Sequence, residues 1–87
     1  MKIILISLFI WFQTVDPLLD KGYEQYEKGE FTEAVKLFNT VIEMDPNNAE
    51  AHFLRAMTYQ GLALSKLAFA DLEKAIVLRT DYAEAFQ

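Results

Sequence analysis

The 87-residue chain contains no cysteine, one histidine, three glycines and two prolines. Without cysteine it has no disulfide, thiol nucleophile or thiolate metal site. The single histidine, His52, supports neither a metal site nor a Ser/His/Asp relay, and its place near a helix start favours packing. The three glycines are isolated from one another, which excludes a Gly-rich phosphate loop. We therefore expect no enzymatic activity, no metal and no cofactor.

The chain also lacks any cluster of Lys or Arg, and its net charge is −5. Residues 16–48 carry eight acidic and three basic residues, whereas residues 49–80 carry three acidic and four basic residues. Nucleic acid and anionic membrane surfaces are therefore not expected partners. An apolar fraction of 53% with 24% charged residues is typical of a folded protein rather than a disordered one.

No uncharged apolar run is long enough to span a bilayer. Lys2 precedes ten uncharged residues, 3–12, and a helix of that length is about 15 Å long, half the hydrocarbon thickness. The pattern resembles the positive and apolar regions of a secretory signal, although small residues of the A-x-A type are missing. We interpret residues 1–15 as a signal peptide or membrane anchor, and the alternative is an apolar segment that caps the fold. This choice determines the localisation. We favour an exported or membrane-anchored protein, and a cytoplasmic protein is the alternative. Contact with a membrane is expected only through residues 1–15.

What the chain does have is an internal repeat of 34 residues. The spacing relates Ala34 to Ala68 and Phe38 to Leu72, and the segment 47–51 to 81–85. A period of this length indicates a supersecondary unit that buries its apolar face by stacking on its neighbours.

Turn and capping residues divide the repeat into helices. Asp16-Pro17 predicts a helix start and Gly29 its end, near residue 28. Apolar spacing predicts a second helix over 31–44, and a second pair over 49–62 and 66–78. Asn47 and Glu50 resemble a capping box that opens the third helix, and Asp81 with Glu84 repeats it for a fifth.

These residues resemble the tetratricopeptide repeat, a helix–turn–helix unit of 34 residues. The resemblance implies an all-α fold of antiparallel helix pairs stacked as a short right-handed α-solenoid. It divides the chain into unit 1 (16–48), unit 2 (49–82) and the start of a third unit or a truncated capping helix (83–87). Ala63 stands where the second unit would have glycine, so we expect its inner turn to shift by a residue or two. The residues that carry the resemblance are Gly22, Gly29, Phe31, Ala34, Phe38, Pro46, Ala56, Tyr59, Ala68, Leu72, Ala75 and Ile76.

The same resemblance implies a protein-interaction module, because the first helix of each pair lines a concave face in this family. An apolar and aromatic face suits a protein or peptide with hydrophobic anchors. The Lys and Asn clamp of chaperone-tail-binding members is not expected, since the matching positions hold Leu19, Tyr23 and Leu54. The implied groove residues are Leu19, Tyr23, Tyr26, Glu27, Phe53, Met57 and Gln60.

Three alternatives stay open at this point. The groove is free for a partner, or it is covered by the N-terminal segment or by a neighbouring copy. The chain is a binding module, or a self-associating structural unit, because fewer than three repeats bury little surface alone. The third alternative is that the chain is an accessory repeat fragment of a larger protein.

Overall fold

The computed structural model describes residues 17–79, which form four α-helices and no strand. They are α1 (17–27), α2 (Phe31–Met44), α3 (Ala49–Gly61) and α4 (Ser65–Leu78). The connections are short, so consecutive helices lie side by side as antiparallel hairpins. The all-α prediction is confirmed. The predictions for residues 1–15 and 83–87, for the Asp16 cap and for the Asp81/Glu84 pair lie outside the described residues.

No helix within residues 17–79 is both long enough and apolar enough to cross a membrane.

The turn between α1 and α2 depends on Gly29, which has a φ of 79°. Its N–H donates to the carbonyl of Tyr26 at 3.0 Å, and the N–H of Glu30 donates to the carbonyl of Gln25 at 2.9 Å. This pair of bonds is the Schellman arrangement, which requires a left-handed residue just after the helix. Glycine adopts that conformation without a Cβ clash.

The turn between α3 and α4 repeats this geometry 34 residues later. Ala63 takes the left-handed conformation with a φ of 61°, and it is the one non-glycine residue in the described range to do so. Its N–H donates to Gln60 at 3.0 Å, and the N–H of Leu64 donates to Tyr59 at 2.9 Å. The expected displacement of this turn is therefore wrong: the two hydrogen bonds hold Ala63 in a conformation that alanine disfavours.

The turn between α2 and α3 ends on Asn48, not Asn47. The side chain of Asn48 accepts a hydrogen bond from the N–H of Ala51 at 3.0 Å. The N–H of Asn47 instead donates to Oδ1 of Asp45 at 3.3 Å. Asp45 thus holds Asn47 in the turn, and the extended backbone of Asn48 makes it the N-cap. The predicted Asn47/Glu50 capping box was one residue early.

The core of the first pair is built around Phe38, which is fully buried with Ala34 and Val41 of α2. Leu19 of α1 and Ala51 of α3 complete this cluster. Short side chains let the helices approach, as at Gly22, where an added Cβ would lie 2.5 Å from Cε1 of Phe38. In the second pair the same purpose is served by buried alanines, Ala56, Ala68 and Ala75.

Candidate functional site

The exposed side of α1 carries a stripe of acidic and aromatic residues. Asp20, Tyr23 and Glu27 are separated by three and four residues, so they lie on one helix face. All three are exposed, and Tyr23 keeps 42% of its surface accessible. This stripe borders the buried face of α1.

The exposed side of α3 carries a longer, more apolar stripe. Phe53 and Met57 lie one turn apart and are half-buried, and Gln60 continues the same face as an exposed residue. Glu50, which is exposed in the first turn of α3, begins the stripe. Methionine and aromatic side chains provide adaptable apolar contact area with little polar surface to desolvate.

A chain of ring contacts connects the two helices at their C-terminal ends. Tyr23 stacks on Tyr26 with ring centroids 5.9 Å apart, and Tyr26 meets Phe31 at 5.7 Å. The Phe31 ring covers Gly61, where an added Cβ would lie 2.6 Å from Cζ. The C-terminal ends of α1 and α3 therefore lie on the same end of the molecule. We call the two exposed stripes together the α1/α3 face: Asp20, Tyr23, Glu27, Glu50, Phe53, Met57 and Gln60.

Leu19 does not belong to the α1/α3 face, although the resemblance placed it in the groove. Only 6% of its surface is exposed, and it packs into the core with Phe38 and Val41. Tyr26 is half-buried and also packs against that core. Leu19 thus packs beneath the α1/α3 face, on the side of α1 that meets α2.

The α1/α3 face carries acids and no base. Its acidic members are Asp20, Glu27 and Glu50. At 100° per residue, Lys21 and Lys28 lie more than about 100° around α1 from the centre of its stripe. Lys28 is also held by Glu24, with Nζ and Oε1 3.1 Å apart.

The remaining base of α1 and α3, Arg55, points away from the α1/α3 face into a buried polar network. Its Nε donates to Oδ2 of Asp71 at 2.7 Å and its Nη2 donates to Oδ1 at 2.7 Å. Its Nη1 donates to Oδ1 of Asn39 at 2.8 Å, and its guanidinium lies 5.6 Å from the ring centroid of Tyr59. The hydrogen bonds to Asp71 raise the pKa of Arg55, although burial acts in the opposite direction. The guanidinium of Arg55 therefore contributes no positive charge to the α1/α3 face.

His52 belongs to the same network. It is 6% exposed, its Nε2 donates to the carbonyl of Pro46 at 2.9 Å, and its Nδ1 lies 3.2 Å from Oδ1 of Asp71. His52 therefore packs in the interior, as predicted, and its two ring nitrogens also link the 45–48 turn to α4. Each polar side-chain atom buried in the described part has a hydrogen-bond partner, so the network is a structural element with no unpaired group for chemistry.

Sequence reasoning missed this network, but the repeat contains a signal for it. Thirty-four residues before His52 and Asp71 stand Leu18 and Leu37, two apolar residues. Both positions change to polar in the second unit, and a paired change of this kind indicates that the two side chains meet. The basic partner occupies the position that corresponds to Lys21, where Arg55 replaces lysine with a bidentate donor.

Residues 17–79 contain no group of three or more His, Cys, Asp or Glu side chains arranged to hold a metal ion.

Comparison with known proteins supports the repeat pattern. A profile described as TPR repeat matches residues 22–62, and one described as Tetratricopeptide repeat matches residues 49–82. DnaJ homolog subfamily C member 3 from Gallus gallus is 32% identical over 73 residues, which is 84% of this chain and 14% of that protein. The proteins of the same name from Mus musculus and Homo sapiens are each 31% identical over 71 residues, 82% of this chain. The match thus spans about a seventh of these relatives' length, 14% in each case.

Proposed function

Because the chain belongs to the tetratricopeptide repeat family, we propose that it is a non-catalytic binding module whose α1/α3 face holds a protein or peptide. The observation that carries this proposal is the accessible apolar surface of Tyr23, Phe53 and Met57 on the first helix of each pair. Side chains of this kind serve as anchors in binding sites. Within residues 17–79 every buried polar side-chain atom already has a hydrogen-bond partner.

Rigidity supports the same proposal. Tyr23 stacks on Tyr26, Tyr26 meets Phe31 beside the end of α3, and Leu19 packs beneath α1 in the core. A face held in place before a partner arrives loses less conformational entropy on binding.

The test is a binding titration of the 87-residue chain with labelled peptides that carry Leu and Phe anchors, followed by fluorescence anisotropy. Tyr23→Ala and Phe53→Ala should each weaken binding by about tenfold, the usual effect of losing an anchor. Val77→Ala, at a 78% exposed position on α4, is the matched control and should leave affinity unchanged. Unchanged affinity in both face variants would overturn the assignment.

Self-association is a second candidate, favoured by apolar side chains exposed on α4 and at its N-cap, Leu64. Leu64, Leu67 and Val77 are 43%, 49% and 78% exposed. A second copy that stacked on α4 would cover this surface. Sedimentation velocity should then show a concentration-dependent dimer that Leu67→Lys with Val77→Lys removes, and a monomer at all concentrations would exclude this mode.

For residues 1–15 we retain the proposal of an export or anchoring segment, supported by Lys2 and the ten uncharged residues that follow it. Sequencing of the mature N-terminus together with cell fractionation tests it. An intact N-terminus in the soluble fraction would contradict both export and anchoring.

A further inference from the structure

We propose that the partner of the α1/α3 face is a cationic amphipathic peptide, in which Lys or Arg residues flank apolar anchors. This inference rests on the proposed function and specifies the chemistry of the partner. It follows from how charge is distributed over the described helices, α1 and α3 in particular.

The charged side chains beside the apolar contacts of the α1/α3 face are all acidic. Glu27 lies one turn from Tyr23 on α1, and Glu50 lies three residues before Phe53 on α3. Asp20 precedes Tyr23 by three residues on the same face. Each aromatic anchor position therefore has an exposed carboxylate within one turn, and α1 and α3 each contribute at least one.

Bases on α1, α2 and α3 do not neutralise these carboxylates. Lys21 lies on another side of α1. Lys28 pairs with Glu24, and Lys36 pairs with Glu33 at 3.2 Å on α2. Arg55 is held by Asp71 and Asn39 inside the network. No ion pair within residues 17–79 involves Asp20, Glu27 or Glu50, so their charge is directed to solvent and to whatever occupies the face.

Some of these acids have a structural reason within their own helix, and one does not. Glu50 in the first turn also stabilises the helix dipole of α3, which is a sufficient structural reason for one acid. Asp20, the fourth residue of α1, closes the first turn and has the same structural reason. Glu27 has none, because it is the last residue of α1, where an acid is unfavourable for the dipole. An acid placed there, one turn from the exposed ring of Tyr23, favours a partner that supplies the opposite charge.

An acidic peptide is the least suitable occupant for the same reason. It would bring carboxylates close to Glu27 and Glu50, and like charges across an interface oppose association. A neutral apolar peptide would leave the carboxylates to be partly desolvated without a partner, which also lowers affinity.

The experiment uses three synthetic peptides with identical Leu and Phe anchors, flanked by Lys, Gln or Glu. Each is titrated into the 87-residue chain at about 0.05 M and about 0.3 M NaCl, because screening weakens exposed charge pairs at the higher ionic strength. We expect the Lys peptide to bind most tightly and the Glu peptide most weakly. The advantage of the Lys peptide over the Gln peptide should shrink at high salt.

Two charge-neutralising variants test whether the preference for the Lys peptide arises at the α1/α3 face. Glu27→Gln and Glu50→Gln should each weaken the Lys peptide by about two- to fivefold, as expected for one exposed charge pair, with little change for the Gln peptide. Glu73→Gln, which removes an exposed acid on α4, is the matched control for net charge. An equal loss in all three variants would mean that net charge alone attracts the peptide, and would overturn the inference.

The outcomes also separate this inference from the proposed function. If all three peptides bind with equal affinity and Tyr23→Ala weakens them all, the binding face stands and the cationic partner is wrong. If no peptide binds, or if Tyr23→Ala and Phe53→Ala change nothing, the proposed function itself is wrong and a second copy or residues 1–15 become the occupants to test.

Discussion

Arg55 of α3 binds Asp71 of α4 through two parallel hydrogen bonds, Nε to Oδ2 and Nη2 to Oδ1, both 2.7 Å long. A third donor of the same guanidinium reaches Asn39 of α2, so one side chain joins three helices across the boundary between the units. The pKa of Arg55 is raised mainly by the hydrogen bonds to Asp71. The titration of Arg55 therefore removes its contribution to stability only at high pH: that contribution is unaffected below the ordinary arginine pKa and is lost as pH rises through the folded value.

Removing Arg55 should destabilise the fold strongly, because the side chain of Asp71 is only 7% exposed and its carboxylate would lose both hydrogen bonds from the guanidinium. We expect Arg55→Met to lower the free energy of unfolding by about 3 kcal/mol, measured by urea denaturation. Lys36→Met, which removes an exposed base from a surface pair, should cost less than about 0.5 kcal/mol. The double variant Arg55→Met with Asp71→Leu should recover part of the loss. A double variant less stable than Arg55→Met would contradict this account.

Ala63 offers a stabilising substitution, because its φ of 61° is a conformation that glycine adopts at lower cost. Ala63→Gly should raise the free energy of unfolding by about 1 kcal/mol, seen as a higher melting temperature. Gly29→Ala at the equivalent position, with a φ of 79° and no atom near the added Cβ, should lower it by a similar amount. If Ala63→Gly proved less stable than the parent, backbone strain would not be the controlling factor there.

The N-cap of α3 provides a test of the register at the unit boundary. Asn48→Ala removes the acceptor for the N–H of Ala51 and should cost about 1 kcal/mol in thermal or chemical denaturation. Asn47→Ala changes a side chain whose backbone N–H, not its amide, makes the turn contact with Asp45. Asn47→Ala should therefore leave the free energy of unfolding almost unchanged. If Asn47→Ala were less stable than Asn48→Ala, Asn47 would be the N-cap instead.

Two glycines in helices should respond differently to alanine, although both would bring a Cβ too close to a ring. At Gly22 the obstacle is Phe38, which is fully buried and has no room to move, so Gly22→Ala should cost about 1 to 3 kcal/mol. At Gly61 the obstacle is Phe31, which is only half-buried and can shift, so helix propensity should offset much of the clash. Equal melting temperatures for the two variants would argue against this packing difference.

The helices were predictable because their signals are local. Apolar spacing placed α2 over residues 31–44, where the structure has it, and Gly29 marked the end of the first hairpin helix. The Asn48 cap was missed because Asn47 and Asn48 have the same chemistry, and the choice depends on which one Asp45 engages. The Ala63 turn was misjudged because alanine carries no left-handed preference of its own.

The sequence by itself determined the repeat length, the all-α class and the acidic character of the first unit, since periodicity and composition are properties of the chain alone. Tertiary structure decided which residues of α1 are core and which are surface: Leu19 lies beneath the α1/α3 face, while Tyr23 remains exposed. It also decided that Arg55, His52 and Asp71 form one buried network, because side chains 16 to 19 residues apart in sequence meet only when α3 packs on α4. Burial and pairing are relations between helices, and no local pattern in either helix specifies them alone.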